Sequence, residues 1–282
     1  MGDRTFWLRP AARRAAIGAA ALALAIALPR EAGAQYNAPP LSSVAIGERY
    51  HVELSGTIWN PALVGTVSSE QFGQAGTDLD FVTDLGFEQT RFKDLRLVVR
   101  PARKHRLKVQ YTPIAYLAST TLHRDVVFNG QKFLVALPIS TEFAWKVLRF
   151  GYEYDIGYWD RGFVGVLVEG RYTQFDASLQ NPLSIEFTSA KAPLPALGFV
   201  GRAYVAPSVA VNFEVSGFQL PEGLSATTKA NYYDWDIYGT VNLANNFGVQ
   251  VGWRRMTTLL TVDKDKADFK FQGVWFGAAL RY

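Results

Sequence analysis

The sequence predicts an all-β fold: a transmembrane, antiparallel, up-and-down β-barrel of about ten strands, entered through a cleaved N-terminal signal peptide. Three observations carry this. The last stretch, Phe271 to Tyr282, alternates: Val274, Phe276, Ala278, Leu280 and Tyr282 form an apolar set, while Gly273, Trp275, Gly277, Ala279 and Arg281 form a mostly small set with one charge. A strand with one face in lipid and the other inside a barrel has this period of two. Second, the chain holds seven Trp, thirteen Tyr and nineteen Phe, yet its mean hydropathy is near zero, as alternating strands average out. Third, a basic segment with Arg4, Arg9, Arg13 and Arg14 precedes the apolar run Ala15 to Leu28, and Ala32-Gly33-Ala34 supplies small residues at a cleavage site. That run falls short of the ~20 residues a spanning helix needs.

These readings divide the chain into a signal peptide over 1–34, a periplasmic lead-in over 35–48 and a barrel over 49–282. Residues 1–34 carry Arg4, Arg9, Arg13, Arg14 and Arg30 against Asp3 and Glu31, so of the formal charge of +4 roughly +1 stays with the mature chain. A nucleic-acid partner has no support in that balance. There is no cysteine, so stability rests on a closed hydrogen-bond network rather than on disulfides.

The strands follow in order. The first, about 49–59, sets Tyr50, Val52, Leu54 and Ile58 against His51, Glu53, Ser55 and Thr57, and Asn60-Pro61 ends it. A hairpin over 92–112 turns at Pro101 to Lys104, with Leu95, Leu97, Val99, Leu107, Val109 and Tyr111 outward; Asp94, Arg96, Arg100 and Lys108 point inward. Pro113 predicts a bulge. Strand four, about 142–156, places Arg149, Glu153 and Asp155 inward. Strand five does the same with Glu169 and Arg171, after a turn at Asp160-Arg161-Gly162. Strand six, about 192–205, contributes Arg202, and strand seven, from Val209, contributes Glu214. Strand eight, about 229–243, brings Asp234 and Asp236, strand nine brings Arg254, and the last strand brings Arg281. Ten is an even count, as single-chain bacterial barrels require, and eight is the alternative if one hairpin is misread. Turns near 101, 160, 207 and 245 are short and the opposite connections longer, which puts both termini on the periplasmic side.

Within 120–141, Asn129-Gly130 lies between Val126-Val127-Phe128 and Phe133-Leu134-Val135, a strong hairpin signal. The expectation is a ribbon protruding beyond the membrane, with Phe128, Asn129, Gly130 and Phe133 as a contact surface. Trp59, Tyr172, Trp235 and Trp253 are expected in an outer aromatic girdle, and Tyr50, Phe163, Phe247 and Tyr282 in an inner one.

The alternation over 49–282, the export signal and the terminal Tyr282 resemble the small bacterial outer-membrane β-barrels, the OmpA-like and OmpW-like group. The stretch Thr77-Asp78-Leu79-Asp80-Phe81 with Asp84-Leu85-Gly86-Phe87 is similar to one seen in that group before its first basic-turn hairpin. The resemblance implies residence in the outer membrane among lipid and lipopolysaccharide. It also implies handling by the barrel-assembly machinery through Phe276, Leu280 and Tyr282. It transfers no catalytic set and no cofactor.

The inward charges are balanced. Glu53, Asp94, Glu153, Asp155, Glu169, Glu214, Asp234 and Asp236 stand against Arg96, Arg100, Lys108, Arg149, Arg171, Arg202, Arg254 and Arg281. In a narrow lumen such charges must pair, which predicts a plugged interior and a structural or interaction role rather than an enzyme. A narrow path for small solutes or ions through the same network is the second reading. A hydrolase is the third, with His123 as base, Asp125 as its orienter and Ser119 or Thr121 as nucleophile. Asp78, Asp80 and Asp84 are carboxylates of the type that binds Ca²⁺, but their spacing lacks a cation-loop pattern and fits loop capping, so no metal is expected.

Overall fold

The computed structural model describes residues 45–70, 75–128, 130–136, 138–180, 185–221, 228–262 and 265–282. The expected signal peptide and most of the lead-in lie outside the described residues, as does Asn129. No described helix is long and apolar enough to cross a membrane.

Among the described residues fourteen strands follow one another: β1 (Val52–Trp59), β2 (Ala62–Ser68), β3 (Leu79–Asp80), β4 (Phe92–Ala102), β5 (His105–Thr121), β6 (Val126–Phe128), β7 (Gln131–Phe133), β8 (Pro138–Trp159), β9 (Gly162–Gln180), β10 (Ile185–Ala206), β11 (Val209–Gln219), β12 (Thr228–Ala244), β13 (Phe247–Val262) and β14 (Asp265–Arg281). Barrel neighbours pair antiparallel from β1 through β4, β5 and β8 to β14, and β14 returns to β1. β14 pairs with β1 from Glu53–Arg281 to Trp59–Trp275, then with β2 from Ala62–Gln272 to Ser68–Lys266. β1 and β2 are thus one stave, interrupted at Asn60-Pro61 because proline has no N–H to give the ladder. With that stave counted once the barrel has ten strands, and the eight-stranded alternative is excluded.

Closure of the sheet on itself, β14 to β1, gives each described barrel strand a neighbour on both sides, so no whole strand is left as an open edge toward lipid. The seam is completed by the last residue: the N–H groups of His51 and Val52 both donate to the Tyr282 carbonyl, at 2.6 and 2.9 Å. Outward positions carry an exposed apolar band that includes Leu54, Leu97, Phe150, Val168, Phe199, Phe213, Ile237, Val251 and Phe276. The alternation is therefore obeyed from stave to stave with the expected parity, except just before β1, where Tyr50 is buried and His51 exposed, the reverse of the expected order.

Four details differ from the sequence reading. Pro113 makes no bulge: it stands opposite Lys146 in an unbroken ladder, at the point where the β4 side has already ended at Leu95–Tyr111. The 177–191 segment is largely ladder, since β9 and β10 pair out to Gln180–Ile185, and β13–β14 likewise reaches Val262–Asp265. Tyr50, Trp59 and Phe163 are buried inside rather than in girdles, whereas Tyr172, Trp235 and Trp253 do face outward. Trp59 turns in because it sits one position out of step with Ile58, and its Nε1–H donates to the Gly273 carbonyl.

The fourth concerns the ribbon. β6 and β7 do pair as a hairpin, but it does not present its aromatics to a partner. Phe128 and Phe133 are buried, 3% and 0% exposed, in one apolar cluster with Leu79, Phe81, Leu85, Phe87 and the inward residues of the long-loop half of the barrel. The physical reason is the barrel itself: the inward positions at that end, Ile114, Tyr116, Phe143, Trp145, Phe269 and Phe271, are apolar. They would be wet unless something filled them. The 79–92 segment and the hairpin fill them.

Candidate functional site

The interior has two storeys. Toward the short-turn end it is ionic. Toward the long-loop end it is aromatic.

All sixteen charges expected in the lumen point inward, and Arg96 is the most exposed of them, its side chain 13% accessible. In the middle layer Arg149 is the hub: its Nη2 meets Glu169 Oε2 at 2.9 Å and Glu214 Oε1 at 2.6 Å, and its Nη1 meets Asp234 Oδ2 at 3.1 Å. Lys108 Nζ lies 2.5 Å from Glu214. Arg171 pairs with Glu169 and donates to Ser216. Arg254 bridges Asp234 at 2.8 Å and Asp94 at 3.4 Å, and Arg96 reaches Asp236 at 3.5 Å and Glu214 at 3.9 Å. Asp94 also accepts from Gln110 and Thr112, and Trp275 donates to Asp236.

The register explains why these contacts cross the lumen. Arg149 stands directly opposite Arg171 on the next strand, and Glu214 directly opposite Asp236. Like charges side by side on a sheet destabilise it. Here the two arginines are answered by Glu169, Asp234 and Glu214, and the two acids by Arg96, so the arrangement is stable only in a narrow, closed tube.

The layer nearest the short-turn end holds what sequence reasoning missed. Glu48, expected in a lead-in, is 1% exposed within the barrel mouth. It meets Arg202 at 2.9 Å, Arg100 at 3.3 Å and Arg106 at 3.6 Å, and accepts from the Tyr204 hydroxyl. Arg106 in turn holds Glu153 at 2.5 Å and Asp155 at 2.6 Å, and Arg281 holds Glu53 at 2.5 Å. Gly47, at φ +81°, lets the lead-in turn against Arg281 and Asn242, where a Cβ would come within 2.8 Å of both. Arg106 was legible, because it extends the inward series of Lys108 and Gln110 by two. Glu48 was not, because no periodicity precedes the first strand. Together they add one charge of each sign and keep the balance.

Above the ions, Phe81 packs on Phe87, Phe143 and Phe269 with centroids 5.9, 5.3 and 6.2 Å away, and Phe143 reaches Phe175 at 5.0 Å. The segment is pinned from outside. Asp80 Oδ1 accepts from the N–H groups of Val82 and Thr83, and Thr77 N–H donates to Val127 O while Val127 N–H donates to Thr77 Oγ1. Arg124 Nη2 donates to Asp84 Oδ2 at 2.7 Å. That hydrogen bond holds the Asp84 carboxyl below the usual carboxylate range. The sequence signal was the set Leu79, Phe81, Leu85 and Phe87, apolar residues at even spacing in an otherwise polar connection.

Two residues of the hydrolase reading have other partners. Asp125 pairs with Lys132 at 2.9 Å and accepts from the Val135 N–H, and Ser119 Oγ faces Ser140 Oγ at 3.3 Å. Among the described residues no three acid, histidine or cysteine side chains converge on a cation-sized site. Asp80 and Asp84 serve as cap and ion-pair partner instead.

No protein-family model matches the sequence, and no curated protein sequence matches it. Among solved structures, one shares the fold and others are more distantly similar. The outer-membrane protease OmpT from Escherichia coli superposes with a TM-score of 0.51 at 7% identity, over 86% of this chain and 100% of that one. The attachment invasion locus protein Ail of Yersinia pestis, at a TM-score of 0.32 and 10% identity, covers 80% of this chain and 99% of its own. The Pseudomonas putida toluene transporter TodX gives a TM-score of 0.31 at 7% identity over 82% and 90%.

Proposed function

We propose that this chain, whose closed ten-stranded barrel has the fold of a bacterial outer-membrane β-barrel, resides in that membrane as a sealed barrel with a structural or interaction role, its termini periplasmic and its long loops outside. The observation that carries this reading is the double closure of the lumen: a cross-lumen ion-pair layer beneath an aromatic plug built by the chain's own 79–92 segment and β6–β7 hairpin. A barrel made for passage has little use for both. The outward, exposed Phe276, Leu280 and Tyr282 of the last strand suit recognition by the assembly machinery, and the apolar band suits lipid and lipopolysaccharide. His123 is given no catalytic role, since Asp125, its expected orienter, is taken by Lys132.

The test is efflux. Vesicles holding the purified protein should release a trapped small dye, or a potassium gradient, no faster than protein-free vesicles. Release that scales with protein content would overturn the sealed reading in favour of a narrow pore.

A further inference from the structure

The first and last staves meet without a turn. Every other pair of neighbouring staves is also consecutive in the chain, whereas β1 and β14 stand side by side through their ladder alone. That ladder is poor in side chains. Its central pairs are Ser55–Ala279, Gly56–Ala278 and Thr57–Gly277, so the cross-strand contacts that stabilise a sheet are slight there. A Cβ on Gly277 would come within 2.6 Å of Thr57 Cγ2 and 2.7 Å of the Gly56 carbonyl oxygen, which leaves no room for larger ones. On its other edge β14 has bulkier pairs, Val251–Phe276 and Trp253–Val274.

A short segment before β1 crosses the barrel mouth beside this seam. The Ile46 N–H donates to the Pro207 carbonyl, in the β10–β11 turn, at 2.8 Å. Asn242 Nδ2 donates to the Ile46 carbonyl at 2.8 Å, and the Gly47 N–H donates to Asn245 Oδ1 at 3.3 Å. The stave opposite β1 in the ring is β10, reached through β4, β5, β8 and β9 on one side and through β14, β13, β12 and β11 on the other. Residues 46–50 therefore run from one side of the mouth to the other.

Glu48 ties this strap down at mid-span. Arg100 and Arg106 reach it from β4 and β5, and Arg202 and the Tyr204 hydroxyl reach it from β10. Its carbonyl also accepts from Arg100 Nη1 at 2.7 Å. Tyr50, at the end of the strap, is buried with its ring beside the guanidinium groups of Arg100 and Arg281, 5.6 and 5.8 Å away. The bond between Glu48 and Arg202 joins residues 154 apart in the chain. β4, β5 and β10 come within reach of one carboxylate only when the sheet has curled into a tube, so these bonds form after the barrel closes.

We propose that residues 46–50 are a clasp that docks once the barrel has closed and keeps the β1–β14 seam shut. The seam is where the sheet opens first, because a ladder of small residues is all that joins it. Interactions absent from the folding transition state govern the unfolding rate and leave the folding rate alone. The clasp thus sets how long the closed barrel lasts. It does not depend on the lumen being sealed, and efflux measurements leave it untouched.

Glu48→Gln keeps the shape of the side chain and removes its charge. Gly47→Ala strikes the strap independently, since a Cβ there would lie 2.7 Å from Arg281 Nη1 and 2.8 Å from Asn242 Cγ at a φ of +81°. Both are made in the full chain, folded into lipid vesicles and compared with wild type. Unfolding after a jump in urea should be at least about tenfold faster, as a buried ion-pair partner is lost, with folding within about twofold of wild type. Hydrogen exchange of the folded variants should show protection reduced at least about tenfold over 53–58 and 276–281, with β8 and β9 protected as in wild type. Unfolding at the wild-type rate in both variants would overturn the clasp. So would folding slowed as much as unfolding is hastened, because the strap would then dock before closure. Protection lost evenly around the barrel, or kept over 53–58 and 276–281, would overturn the seam as the point of opening. Gly47→Ala carries both measurements should Glu48→Gln fail to fold. A clasp that docks last is not needed for folding, so failure of both variants to fold would overturn it as well.

Discussion

Replacing Arg149 by Met removes the hub of the ionic layer while keeping much of the side chain's bulk. Arg149 is 1% exposed and touches three carboxylates. Taking one partner from a buried ion pair costs ~3–5 kcal/mol, because the remaining charge stays out of water uncompensated. Each acid here keeps another cation: Glu169 keeps Arg171, Glu214 keeps Lys108, and Asp234 keeps Arg254. That places Arg149→Met at the lower end, about 3 kcal/mol. With a urea dependence of ~1–3 kcal/mol per molar, the unfolding midpoint in lipid vesicles should fall by roughly 1–3 M. Adding Glu169→Gln removes the surplus negative charge and should recover about half of the loss, since the two residues are directly coupled. A single variant whose midpoint matches wild type, or a double variant as unstable as the sum of the two singles, would refute the claim that the layer is a coupled network.

Val166 faces outward on β9, opposite Phe199; Val166→Arg should destabilise by ~2–4 kcal/mol if it lies near the bilayer midplane, and normal folding yield into vesicles would contradict its assignment to lipid. Phe81→Ala vacates the centre of the plug and should cost about 3–5 kcal/mol in the same urea assay. Asp84 is held below its ordinary range by Arg124, so its contribution is in full force above the unfolded-state value near pH 4 and is lost only as pH falls through the lower folded value. Arg124→Gln should therefore raise the pH at which acid loosens the 79–92 segment, read by hydrogen exchange at Leu85 and Phe87; an unchanged profile would sink that assignment. Deleting Tyr282 removes the acceptor of the His51 and Val52 N–H groups and should slow barrel closure, measured as folding rate.

The barrel was legible in the sequence because lipid enforces a strict period of two. From Leu95 to Leu280 the outward residues read as apolar and the inward ones, toward the short-turn end, as polar, and every charge assigned inward by that parity is buried there or, for Arg96, nearly so. What parity could not supply was the third dimension of the long-loop end. Asn129-Gly130 announces a turn, and Phe128 and Phe133 do share a hairpin, but local signals say nothing of where a hairpin lies. That depended on Tyr116, Phe143 and Phe269 being apolar on the inward face, a comparison between strands far apart in the chain. Glu48 was hidden for a related reason: its partners Arg100, Arg106 and Arg202 come from three different strands, and no local pattern links them to a residue before the first. Trp59 was misplaced because an aromatic near a strand end was read as an interface anchor, although its parity with Glu53 and Ser55 already pointed inward.

The sealed lumen is tested most directly by single-channel recording in planar bilayers, with wild type beside Arg149→Ala and the Phe81→Ala/Arg149→Ala double variant. Wild type should be silent, Arg149→Ala nearly so because the aromatic plug remains, and the double variant should open to steady conductance. Wild-type steps whose size or ion preference changes with Arg149→Ala would contradict this account and make the charged layer the lining of a conducting path.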